Sequence, residues 1–200
     1  PDFCSVREMA TFLLSALPKA LHLASRNRYD LVHVFFGVPC GPVGWLLKRT
    51  HGVPYLIRMG GGDIPGFKPY GYERHYRRVL PIVKRLWKDA DALIVVSADL
   101  EERFRRILPD VVTPFVIPNG VDTEEFAPAA ARVPSDRLTI MTVSRLISRK
   151  RIDTLLTAAL RLRERTAVPF RVEIVGDGVD RPFLESFVAT NFLTPATVTE

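Results

Sequence analysis

The 200-residue sequence holds two cysteines, Cys4 and Cys40, and no C-x-x-C pair. A disulfide-stapled scaffold and a thiolate metal site are thereby excluded, and a reducing compartment is favoured. Its four histidines, His22, His33, His51 and His75, have no metal-ligand spacing to one another. His33, inside a strand-like run, reads as a satisfied structural histidine. No run reaches the roughly 18 uninterrupted apolar residues of a spanning helix. The most apolar stretch near the start, Met9–Leu23, is broken by Pro18, Lys19 and His22. It reads as a helix packed on a core, and no basic segment precedes it to make a signal peptide. The patterns GxGxxG, GxxxxGK[ST] and GxSxG are all missing. Dinucleotide binding, P-loop nucleotide hydrolysis and a serine-hydrolase elbow therefore lack their fingerprints. There is no leading Met, and a strand-like segment begins just before the end, so the expectation is a piece of a longer chain.

What is present is ordinary globular composition, 47% apolar and 25% charged, which disfavours disorder. Lys and Arg number 28 against 22 Asp and Glu, a net charge of +6. That balance points to an anionic partner: nucleic acid, an acidic lipid surface or a phosphate-bearing substrate.

Short apolar runs alternate with amphipathic stretches. Leu31–Phe36, Tyr55–Met59, Leu93–Val96, Phe115–Ile117, Leu138–Val143 and Phe170–Val175 read as strands. Their near-continuous Val, Ile and Leu content suits strands covered on both faces, as in a parallel sheet. Tyr72–Ala90, Asp99–Leu108 and Asp153–Thr166 carry helical spacing; in the first, Tyr76, Val79, Val83 and Trp87 form the expected buried stripe. Strands and helices alternating in this way predict βαβ units and a doubly wound α/β fold. Pro118–Ser135 breaks the rhythm with a turn at Asn119-Gly120 and a cap at Asp122 or Thr123. The predicted division is a first domain over 1–117, a linker over 118–136 and the start of a second domain over 137–200.

Ligands in open α/β sheets bind beyond the carboxyl ends of the strands. After Leu138–Val143 comes Ser144-Arg145-Leu146-Ile147-Ser148-Arg149-Lys150-Arg151, a basic loop ahead of a helix. Arg145 offers a planar fork to a diphosphate and Lys150 a mobile point charge, while free N–H groups at the helix start add a weaker positive field. A solvated basic rim would have the same composition. Gly176-Asp177-Gly178, after Phe170–Val175, falls at the same sheet edge and lets backbone approach a ligand. At the end of Tyr55–Met59, Gly60, Gly61, Gly62 and Asp63 suggest close backbone contact or a flexible lid.

Taken together, Tyr29–Val34, Gly52–Ile57, Ala90–Ser97, Val116–Asp122 with Phe126, Val143–Leu146 with Lys150, Asp153–Leu156 and Val175–Gly178 are similar to glycosyltransferase family 4. The resemblance covers nearly the whole sequence. It implies a GT-B enzyme of two Rossmann-like domains. The second would hold a nucleotide-diphosphate sugar, and the first would receive a glycan or lipid-linked acceptor. It implies that Arg145 and Lys150 act on the donor diphosphate as the catalytic pair. Gly176, Asp177, Gly61, Gly62 and Asp63 are the implied donor- and cleft-lining positions. Charge building on the leaving phosphate would be stabilised by two fixed cations. The configuration would be retained, with no metal, no cofactor beyond the donor and no nucleic-acid partner.

The sequence departs from the family pattern in two places. Gly60-Gly61 stand where many members carry His-Gly, so no base is assigned. Arg151 follows Lys150 where Gly is usual, adding charge near the phosphate. The family's N-terminal glycine-rich loop and its donor-binding E-x7-E segment would lie outside the 200 residues, so the chain by itself is expected to be inactive. A cytoplasmic enzyme is implied. The basic helix at Tyr72–Ala90 reads either as a solvated surface or as a peripheral seat on an anionic inner membrane face. Rival readings are another GT-B activity such as a nucleotide-sugar epimerase, or a non-catalytic basic α/β binding module.

Overall fold

The computed structural model describes residues 5–64, 73–109, 113–128, 137–191 and 196–199. Cys4, Tyr72 and positions 129–136 of the expected linker lie outside the described residues, as do the side chains of Arg74, His75, Tyr76, Arg77 and Arg78. The chain divides into two compact units, Phe3–Phe126 and Ala127–Glu200.

The first unit runs α1 (Val6–Arg26), β1 (Val32–Phe35), α2 (Gly41–His51), β2 (Tyr55–Met59), α3 (Glu73–Asp89), β3 (Ala92–Val95), α4 (Ala98–Ile107) and β4 (Phe115–Val116). Its sheet has the order β1-β2-β3-β4, parallel throughout, with Val34 beside Ile57 and Ile57 beside Leu93. The predicted parallel α/β arrangement is therefore the observed one. Val34, Tyr55, Ile57, Met59, Leu93 and Val95 form one apolar layer with Val83 and Trp87 of α3 and Leu100 and Phe104 of α4. The Trp87 and Phe104 rings are tilted, 5.4 Å between centroids. Gly44 lets α2 sit close to this layer, because a Cβ there would fall 2.7 Å from Val34 Cγ2 and 2.9 Å from the Tyr55 ring. The Tyr55 hydroxyl donates to the Leu86 carbonyl at 2.7 Å, so its polar end is satisfied within the core.

Local signals explain the helix ends. Ser5 and Glu8 form a reciprocal capping box at α1. Ser97 accepts the Leu100 N–H at the start of α4. Asp99–Arg103, Glu101–Arg105 and Glu102–Arg106 pair along the solvent side of α4. Asp122 accepts the N–H groups of Glu124 and Glu125 and so closes the turn after β4. Those two bonds hold the Asp122 carboxyl below the usual carboxylate range.

Three burial expectations are corrected. The helix expected to pack on a core is α1, yet none of its residues is buried; it lies against α2 with Phe12, Leu14 and Leu23 exposed. In α3 the buried stripe is Val83, Leu86 and Trp87, whereas Val79 is exposed. His33, on β1 at the edge of the described sheet, is exposed, with its ring beside Phe35, 4.3 Å between centroids. Coverage on both faces fails at edge strands, where β4 is exposed at both residues.

The second unit holds β5 (Leu138–Val143), a 3-10 turn (Ser148–Lys150), α5 (Ile152–Arg163), β6 (Phe170–Val175), α6 (Arg181–Asn191) and β7 (Ala196–Thr199). The sheet order β5-β6-β7 is again parallel. Its core joins Leu146, Ile152, Leu156, Ala159, Val172, Ile174 and Leu184. As the edge strand, β5 leaves Leu138, Met141 and Val143 exposed. Among the described residues no helix is long and apolar enough to cross a membrane.

Candidate functional site

Two loops of the second unit meet at the carboxyl edge of its sheet. The Ser144 N–H donates to the Val175 carbonyl at 3.0 Å, and the Leu146 N–H to the Asp177 carbonyl at 2.8 Å. The Asp180 N–H returns to the Leu146 carbonyl at 3.0 Å. Buried Leu146 and Ile147 anchor the basic loop from beneath, while Arg145 and Lys150 on either side of them are exposed. Among the described residues neither is ion-paired. Two cations thus stand at the edge where parallel sheets bind ligands, on a backbone fixed by interloop hydrogen bonds.

The glycines of the second loop have a cause inside the chain. A Cβ on Gly176 would stand 2.0 Å from the Ser144 carbonyl oxygen, and one on Gly178 2.2 Å from the Leu146 carbonyl oxygen. Close approach of the neighbouring loop's backbone therefore requires glycine at both positions. The Asp177 side chain is exposed and lies 3.6 Å from Arg181.

Arg151 does not add a loose cation. It takes the left-handed conformation, φ 53° and ψ 42°, at the junction of the 3-10 turn and α5. Its guanidinium reaches both Asp153 oxygens at 3.1 Å. That bonding holds the Asp153 carboxyl below its ordinary range. The charge that the sequence places near the phosphate is thus paired with Asp153 in this structure.

At the carboxyl edge of the first sheet, the turns after β1 and β2 are joined through Asp63. This carboxylate is 6% exposed. It accepts the Gly37 N–H at 2.8 Å and the Gly60 N–H at 2.7 Å. Burial pushes the Asp63 carboxyl up to about 6, against the opposing pull of the Gly60, Gly37 and Val38 backbone N–H groups. Asp63 thus engages backbone, where the sequence suggested a ligand position. Gly60 lies beside the Phe36 ring, where a Cβ would stand 3.2 Å from Cε1, Gly61 is half-buried, and Gly62 has open space where a Cβ would stand.

The sequence reading passed over Phe36 and Gly37. Phe36 adopts φ 69° and is 54% exposed. Gly37 lies against Trp87 Nε1, 3.0 Å from where its Cβ would be. Only the strand-ending Phe-Gly step hinted at them. Among the described residues no group of three His, Cys, Asp or Glu side chains could hold a metal ion.

Residues 3–125 match the family model described as Glycosyltransferase Family 4. A "GDP-mannose-dependent alpha-(1-6)-phosphatidylinositol monomannoside mannosyltransferase" of Mycobacterium tuberculosis is 30% identical over 170 residues, covering 79% of this chain and 41% of the relative. The "D-inositol 3-phosphate glycosyltransferase" of Saccharomonospora viridis is 31% identical over 182 residues, 77% of this chain and 39% of the relative. The solved structure of a mutant S. aureus TarM, in complex with Fondaparinux, alpha-GlcNAc-glycerol and UDP, superposes with a TM-score of 0.64 at 14% identity. The match covers 90% of this chain and 35% of TarM. The chain therefore spans less than half the length of these proteins, and its fold is that of the GT-B glycosyltransferases.

Proposed function

The chain belongs to glycosyltransferase family 4, and we propose that the whole protein moves a hexose-like sugar from a nucleotide-diphosphate donor, with retention, to a hydroxyl on a glycan or lipid-linked saccharide. The observation that carries this reading is the pair Arg145 and Lys150, both exposed and set at the β5 edge by the hydrogen bonds between the two loops. As the bond from the anomeric carbon to the donor phosphate breaks, its electron pair passes to the phosphate oxygen, and these two cations stabilise the growing charge. The acceptor attacks from the face the phosphate leaves, and its hydroxyl proton passes to a phosphate oxygen. Because two side chains supply the positive charge, transfer is expected to persist in a chelator.

The relative named for GDP-mannose and phosphatidylinositol, and the UDP in the TarM complex, support a nucleotide-sugar donor and a lipid-linked or glycan acceptor. A cytoplasmic seat, at the inner membrane face where the acceptor is lipid-linked, goes with that reading. Since the chain covers 41% of the mannosyltransferase it resembles, activity is assigned to the whole protein, and the 200 residues alone are expected to be inactive. The test is titration of GDP and UDP into the full-length protein, its Arg145→Ala form and its Lys150→Ala form. Each substitution should weaken binding at least about tenfold, near 1.4 kcal/mol. Affinity unchanged in both variants would remove the diphosphate clamp.

A further inference from the structure

Phe36 holds a backbone conformation that is unusual for a bulky side chain. A bulky residue in the left-handed region is an outlier that costs about 1–2 kcal/mol, and such strain concentrates where a ligand is met. Here φ is 69°, and the residue is 54% exposed.

The surroundings hold the strained residue in place. The Phe36 N–H continues the ladder by donating to the Arg58 carbonyl at 3.0 Å. The next residue, Gly37, is buried and bound through its N–H to Asp63 at 2.8 Å. Asp63 also holds Gly60 at 2.7 Å, and the ring lies beside that glycine, where a Cβ would meet Phe36 Cε1 at 3.2 Å. The Asp63 N–H closes the glycine turn onto the Gly60 carbonyl at 3.1 Å. The result is an exposed aromatic residue at the carboxyl edge of a parallel sheet, beside a turn in which Gly62 has open space where a Cβ would stand.

We propose that Phe36 is the stacking platform for the ring of the acceptor, a neutral pyranoside or cyclitol, and that Asp63 is the positioning residue that holds it there. The inference rests on the transferase reading and adds the acceptor contact to it. A sugar ring presents an apolar C–H face to an aromatic and a rim of hydroxyls to nearby backbone groups, matching this surface. A phosphate is a poorer fit. The nearby guanidinium of Arg58 is directed to the Ile117 and Pro118 carbonyls and to Asn119 Oδ1, at 3.2, 3.3 and 2.8 Å.

The test uses saturation-transfer NMR on the full-length protein with methyl α-D-mannopyranoside and myo-inositol as probes, irradiating the aromatic envelope. Transfer to ring protons is expected in the native protein and in Phe36→Trp, and at least a fivefold loss in Phe36→Gly. Glycine accepts φ 69° without strain, which offsets the greater freedom it gives the unfolded chain, so Phe36→Gly should melt close to the native protein, which separates lost binding from lost folding. Asp63→Asn should lower transfer while Phe36 is still present, and Asp63→Glu should restore part of it. GDP binding serves as the parallel readout. Equal transfer in native and Phe36→Gly protein, or GDP binding with no transfer to either probe, overturns the platform and leaves the donor reading standing. Loss of both GDP and probe binding in the native protein overturns the transferase reading with it.

Discussion

The Asp63 carboxylate accepts the Gly37 N–H at 2.8 Å across 26 residues of chain, and this single contact ties the turn after β2 to the turn after β1. Its electrostatics have a definite sign. Burial raises the folded-state value to about 6 from an ordinary 3.8. The folded protein therefore binds the proton more tightly than the unfolded chain. Stability contributed by this group is full below about pH 4, falls as pH rises through about 6 and is level above. The span corresponds to about 3 kcal/mol to order of magnitude. Asp63→Asn removes the titration but points an amide N–H at a backbone donor. The difference in unfolding free energy between native and Asp63→Asn protein should shrink steadily from pH 4 to pH 7. Parallel denaturant-unfolding curves across that range would mean the carboxyl is not perturbed.

Glycine in the second unit is fixed by contact rather than by turn statistics. Gly176 combines φ 142° with a Cβ position 2.0 Å from the Ser144 carbonyl oxygen. Backbone cannot yield as a flexible side chain can. Gly176→Ala is expected to destabilise by more than about 2 kcal/mol, the range of overpacking and backbone strain. Gly62→Ala, with open space at its Cβ, should stay within about 0.5 kcal/mol. Urea midpoints followed by circular dichroism will separate the two, and equal effects would refute the packing account.

Much of the fold was legible because the strands of these parallel sheets, central or at an edge, declare themselves as short apolar runs. Tyr55–Met59, Leu138–Val143 and Phe170–Val175 form strands over the very residues read from sequence. The turn after β4 was legible from its capping residue, Asp122. What stayed hidden depends on neighbours the sequence does not name. The exposure of Phe12 and Leu14 on α1 reflects a missing covering layer among the described residues, which no periodicity encodes. Gly-Gly-Gly-Asp looks the same whether its carboxylate meets a ligand or, as here, backbone N–H groups. Phe36 carries no compositional mark of its left-handed backbone, because tertiary hydrogen bonds impose it. In the basic loop the sequence shows the cations but not their partners: Arg151 is paired with Asp153, whereas Arg145 and Lys150 are exposed and not ion-paired among the described residues.

The Ser97 hydroxyl accepts the Leu100 N–H at 3.3 Å and opens α4, whose Leu100 and Phe104 enter the first core. Losing a serine cap costs about 1 kcal/mol. Ser97→Ala should lower stability by that amount, while Ser97→Asp, which keeps an acceptor and adds charge at the positive end of the helix, should restore it. Thermal melts of the two variants check the cap, and identical melting of Ser97→Ala and native protein would dismiss it.

Arg151 directly follows Lys150 of the proposed donor site and stands at the head of α5. Its left-handed backbone costs about 1–2 kcal/mol for a residue with a Cβ. Its pair with Asp153 is exposed and recovers only a fraction of that. Glycine would remove the strain, at the expense of a more flexible unfolded chain and the lost pair. The opposing effects nearly cancel, so Arg151→Gly should change stability by less than about 1 kcal/mol, whereas β-branched Arg151→Val should lose more than that. Nucleotide binding discriminates further. If Asp153 neutralises Arg151 as the geometry indicates, Arg151→Gly should leave GDP affinity within about threefold of native, in contrast to the tenfold loss expected at Lys150. A tenfold loss at Arg151 as well would show that its guanidinium leaves Asp153 for the diphosphate.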